Sequence, residues 1–133
     1  DAPVDKLSAL GKQIAMHVAA TAPQNLRIDD LDPAIIERER AVLTDQAKES
    51  GRPENIIEKM VSGRLQKFYQ EVVLLEQTFV IDNETKMSSV IENASKEFGS
   101  SVELISFCRL SLGEGIEKES TDFASEVAAT LGN

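Results

Sequence analysis

Residues 50–77 read "SGRPENIIEKMVSGRLQKFYQEVVLLEQ", and the spacing of their apolar side chains decides how the rest of the chain must fold. Ile57, Met60, Val61, Leu65, Phe68, Val72 and Leu75 recur at helical intervals, which places them on one stripe of a helix turning once in about 3.6 residues. The stretch predicts one uninterrupted helix. An amphipathic rod of that length needs something to cover its stripe.

The preceding segment supplies part of the cover. From residue 33 to Ser50, Ile36, Leu43 and Ala47 lie on one side and charges on the other. Asp32 suits an N-cap, and Pro33 a first helical position, where its missing N–H is not needed. Gly51 can end this helix in a left-handed conformation and Pro53 can restart the chain. The reading is an antiparallel helical hairpin over 32–77 whose second arm, roughly 53–76, would be about 36 Å long. Its packing residues are Ile57, Met60, Val61, Leu65 and Phe68. The first arm is shorter, so the stripe beyond Phe68 must root in a body.

That body is predicted from both flanks. Residues 1–31 carry a core helix and a loop: Leu7, Leu10, Ile14 and Val18 define a helix over 3–20, and Pro23 stops it. Residues 78–119 carry a turn at 82–85, a short helix over 87–98 with Met87, Val90, Ile91 and Ala94 inward, and a strand over 102–112. Val102, Leu104, Cys108, Leu110 and Leu112 alternate onto one strand face. A last helix is expected over 120–133, with Phe123, Val127 and Leu131 every four residues. One strand cannot satisfy its own backbone groups. Its partner is expected to be "FVI" at 79–81, a second chain, or a segment preceding Asp1; the start "DAPVDKL", without Met, reads as the middle of a longer protein.

Charge narrows the function classes. Lys and Arg total 14 against 23 Asp and Glu, a formal net charge of -9. Such a field repels a phosphate backbone unless a basic patch is segregated, and Arg38, Arg40, Arg52, Arg64 and Lys67 are interleaved with acids. Direct nucleic-acid binding is not expected. No apolar run approaches the about 18 residues of a membrane span, so no membrane partner is expected either. The one cysteine, Cys108, cannot form an internal disulfide, and it is expected to pack in the core. His17, the one histidine, is read as structural or partner-facing rather than as a catalyst or metal ligand, since both uses need further groups around it. Glu114, Glu117 and Glu119 lack the spacing of a calcium loop. No metal, cofactor or catalytic site is expected.

Taken together, "IAMHVAA" (14–20), "SGRPENIIEKMVSGRLQKFYQEVVLLEQTFV" (50–80), "GEGIEK" (113–118) and "TDFASEVAA" (121–129) resemble the C-terminal half of the bacterial elongation factor Ts family. Members of that family are guanine-nucleotide exchange factors that promote GDP release from elongation factor Tu in the cytoplasm. The resemblance implies an α+β fold, mostly helical, with a long hairpin used for dimerisation and a remnant of a small antiparallel sheet, the strand at 102–112 being the last of three. It implies docking to elongation factor Tu through the body (Met16 and His17) and through the C-terminal helix (Asp122, Phe123 and Val127). The family's N-terminal helical module and its Thr-Asp-Phe-Val exchange segment have no counterpart here; "TDFA" at 121–124 matches the C-terminal helix instead. The expectation is therefore a docking and self-association part of a non-enzymatic exchange factor. The alternative is a stand-alone homodimerisation module without exchange activity.

Overall fold

The computed structural model describes residues 2–115, which are mostly helical. Helix α1 spans Val4–Thr21, α2 Pro33–Lys48, α3 Glu54–Val72 and α4 Met87–Phe98, with short 3-10 turns at Ile28–Asp30 and Leu74–Glu76. The helix expected over 120–133 lies outside the described residues.

The local signals act where the sequence placed them. Asp32 adopts an extended conformation and its carboxylate accepts from the Ala34 N–H at 2.9 Å, with Pro33 at the first helical position. Gly51 has φ +66°, in the left-handed region that ends α2's turn, and Pro53 precedes α3. Asn83 (φ +56°) and Asp82 form the turn before α4, where Asp82 Oδ1 accepts from the Glu84 and Thr85 N–H groups at 3.0 Å each. Gly99 closes α4 at φ +65°.

Helices α2 and α3 form the antiparallel hairpin. Leu43 and Ala47 pack on Val61 and Leu65, with Ile36, Ile57, Met60, Phe68 and Tyr69 half-buried around them. All five residues expected to pack the hairpin therefore lie at its seam. The single helix over 50–77 is not realised, however. α3 ends at Val72, because Val73 turns to φ -106° and ψ 118°, and the arm is about 28 Å long. The break has a tertiary cause. Val73 and Leu74 are fully buried, and Val73 forms a parallel bridge with Asn25. The Gln24 and Asn25 N–H groups donate to Val72 O, and Leu74 N–H donates to Asn25 O at 2.9 Å. Continuing the helix would cost these bonds and swing Leu74 out of the core.

The body is α1 and α4 closed over residues 73–80. Ile14, Val18, Leu26, Leu74, Phe79 and Met87 form its core, and a smaller cluster of Leu31, Val72 and Val73 seats the hairpin's base. Residues 101–111 form neither helix nor ladder, and no sheet occurs among the described residues, which contain two isolated bridges only. "FVI" does not pair with them: Phe79 is buried in the core and its N–H donates to Thr85 O. The segment is held by side chains instead. The Val102 N–H donates to Ser95 Oγ at 2.9 Å, Arg27 pairs with Glu103 at 3.0 Å, and Leu104 and Phe107 pack against the core. Strict alternation thus fails. Phe107 turns inward, whereas Cys108, expected in the core, is exposed, as are Leu110 and Leu112.

Candidate functional site

Helix α1 divides its residues sharply. Ile14, His17 and Val18 are buried, while Met16 is 55% exposed on the opposite side. Beside this helix runs an open cleft of ≈ 360 Å³. Gly11, Ala15 and Ala19 form its helical wall, and Leu104, Phe107 and Leu110 face them. Small residues on the helix keep that wall low, and a cleft bordered by the exposed apolar side chain of Leu110 suits a protein surface better than a polar small molecule. A wider, polar recess of ≈ 660 Å³ adjoins it, lined by Asn25, Arg27, Asp30, Arg109 and Glu114 among others.

His17 faces the other way. Its ring is fully buried and tilted against Phe79, with centroids 5.9 Å apart. The Val80 N–H donates to Nδ1 at 3.1 Å, so that nitrogen carries no proton, and Nε2–H donates to Gln77 Oε1 at 2.8 Å. Of the two α1 residues expected to touch a partner, Met16 presents surface and His17 does not. With both ring nitrogens engaged, His17 is unavailable as a base or metal ligand, and it shares no hydrogen bond with the exposed Cys108. Among the described residues no three His, Cys, Asp or Glu side chains converge on a metal-sized site. Nor is any helix there long and apolar enough to cross a membrane.

Asp82 is the one described group whose acidity departs clearly from its ordinary value. Hydrogen bonds from the Thr85 side chain and then from the Glu84 and Thr85 backbone hold its carboxyl below the usual aspartate range. This carboxylate caps a turn and is exposed, so its role is local. Asp122, Phe123 and Val127 lie outside the described residues. Sequence reasoning missed Gln77. Its signal was slight: a polar residue closing an otherwise apolar run, "VVLLEQ" (72–77).

Comparison with known proteins adds the family. The family model described as "Elongation factor TS" matches residues 2–114. The chain is similar to proteins named elongation factor Ts from Rhodospirillum centenum (59% identical over 127 residues, 96% of this chain and 41% of that one) and Rhodospirillum rubrum (60% over 126 residues, 95% and 41%). It is also similar to the one from Rhizorhabdus wittichii (55% over 131 residues, 98% and 43%). The chain spans about two fifths of the length of these curated relatives.

Proposed function

Because the chain belongs to the elongation factor Ts family, we propose that it is the part that docks on elongation factor Tu, within a factor that promotes GDP release from that protein in the cytoplasm. The observation that carries this reading is the open apolar cleft between α1 and residues 104–110, walled on the helix by Gly11, Ala15 and Ala19, while Met16 is exposed on another side of α1. The family resemblance adds Asp122, Phe123 and Val127 as a second contact. Exchange of this kind needs no covalent chemistry. A protein that binds the nucleotide-free form of its partner more tightly must, by reciprocity, weaken nucleotide binding.

The finer architecture follows the same reading. On this reading residues 1–31 and 78–119 are the docking body and 32–77 the hairpin, and the helix expected over 120–133 lies outside the described residues. Residues 102–112, unpaired among the described residues, would become the last strand of a small antiparallel sheet once other strands are supplied, which would make the whole an α+β fold. The exposed Ile105, Leu110 and Leu112 support this, since such side chains gain most from being covered. Self-association through the hairpin is a secondary role, supported by exposed Ile35 and Val42, seven residues apart on α2. Sedimentation at tens of micromolar checks it, and a monomer throughout removes it.

Release of a fluorescent GDP from elongation factor Tu, followed together with binding, tests the main reading. Binding without full acceleration, weakened by Ala15→Asp in the cleft wall, is the expected result. Absence of binding, or binding indifferent to Ala15→Asp, refutes docking through this face.

A further inference from the structure

Gln77 sits where three helices meet. Its side-chain N–H donates to Glu71 O at 2.8 Å, one of the last carbonyls of α3, which have no partner within their own helix. Its side-chain oxygen receives His17 Nε2–H at 2.8 Å and lies 2.9 Å from the Thr21 hydroxyl, whose one proton it shares with the main-chain oxygen of His17 at 2.8 Å, both residues being on α1. Its backbone oxygen accepts from the Met87 N–H at 2.9 Å, at the first residue of α4. The residue is 4% exposed, and no buried side-chain nitrogen or oxygen among the described residues lacks a partner.

We propose that Gln77, clamped by His17 and Thr21, is the positioning joint that fixes the direction of the hairpin relative to α1. α3 breaks off at Val73. Because α3 does not run on into the body, helix stiffness cannot orient the arm. The apolar seat of Leu31, Val72 and Val73 holds the arm's base, but apolar contact is non-directional and tolerates pivoting. The main-chain bonds from Gln24 and Asn25 fasten one edge of the base, at Val72. The Gln77 carboxamide adds a bond from a second direction, to the preceding residue of the same turn, and binds α1 with its other end. Hydrogen bonds are directional and are strengthened by a dry setting. His17 suits the clamp because Val80 N–H fixes which ring nitrogen keeps its proton. The same clamp holds α1's rotation, with His17 inward and Met16 outward. The joint is a property of the folded chain and does not depend on docking to any partner.

The test is a distance distribution between spin labels at Lys12→Cys on α1 and Arg52→Cys at the hairpin tip, both exposed, in a Cys108→Ser background. The parent should show one narrow peak. Gln77→Met preserves the side chain's length but can neither accept from His17 nor donate to Glu71, and should lose the single peak to a broad distribution. Leu65→Ala weakens the hairpin without touching the joint and should keep the peak. A folded Gln77→Met protein with the parent's narrow peak overturns the proposal, as does equal broadening by Leu65→Ala. If Gln77→Met does not fold, the parent itself decides. The chain has one histidine, so a long-range proton–nitrogen spectrum reads its ring unambiguously. A proton held on Nε2, with Thr21→Val broadening the label distances, supports the joint; a proton on Nδ1, or unchanged distances in Thr21→Val, refutes it.

Discussion

The hairpin and the body are built from similar helices but held together by different physics. In the hairpin, α2 and α3 meet through neighbours in sequence, and the seam is closed by Leu43, Ala47, Val61 and Leu65 with a half-buried margin. Polar links across it are exposed, such as Arg64 to Gln46 at 3.2 Å, and contribute little. In the body, α1 must find residues 73–80 across the whole hairpin insertion, and the contact is sealed by fully buried Leu74, Met87 and His17. Local pairing needs little loop closure, whereas distant pairing must be rewarded by deeper burial and directional bonds. The hairpin is thus the separable part and the body the cooperative one.

Truncation should break this contrast most visibly. Leu74→Ala empties a fully buried site in the body and should cost about 4 kcal/mol in urea unfolding, whereas Leu65→Ala in the thinner hairpin seam should cost about 2–3 kcal/mol. Native-state hydrogen exchange sharpens it. Leu65→Ala should raise exchange only within α2 and α3, while Leu74→Ala should raise it everywhere; uniform loss in both would mean one cooperative unit.

Two left-handed glycines provide a matched pair. A side chain at Gly51 or Gly99 meets nothing within 4 Å, so only the backbone at φ +66° or +65° resists it. Each change to Ala should cost about 1 kcal/mol, with the loss confined to the hairpin for Gly51 and felt as global unfolding for Gly99. A second pair reverses the sign. Gly11 and Gly63 lie inside α1 and α3 with open space around them, so Ala at either should stabilise by up to about 1 kcal/mol. Gly11 lines the cleft, so Gly11→Ala should also weaken the docking proposed for that face, and Gly63→Ala should not.

The smallest effect is an acid one. The Asp82 carboxyl is held below the ordinary aspartate range in the folded chain. Its contribution is therefore complete above that range and is lost as pH falls through the lower folded value. The Glu84 and Thr85 amide signals should move only in that acid window. Asp82→Asn should abolish the shift, leaving the hairpin amides unaffected in both proteins.

What could be read from the sequence was what short-range physics decides. Apolar spacing located α1, α2 and α4, and named the hairpin's packing residues. Asp32, Pro33, Gly51 and Pro53 marked its ends through caps and left-handed turns that depend on the residue itself. The similarity of "IAMHVAA" and the 50–80 stretch to the elongation factor Ts family was legible for the same reason, being carried by residue order alone. Tertiary structure decided the rest. The helix read through to Gln77 stops at Val72 because Asn25, distant in sequence, donates its N–H to Val72 O and accepts the Leu74 N–H. His17 shares the apolar face of Ile14 and Val18 by helical spacing and Met16 does not, but that the buried ring is held by Gln77 and Val80 was decided by the tertiary structure. The alternating pattern of 102–112 promised a strand, yet a strand is defined by its neighbour, and Leu104 and Phe107 settle against the body's core instead. Periodicity and capping are properties of a few consecutive residues. What holds a buried ring, where a helix yields and whether an alternating segment is paired depend on contacts between residues far apart in the chain, which no local pattern encodes.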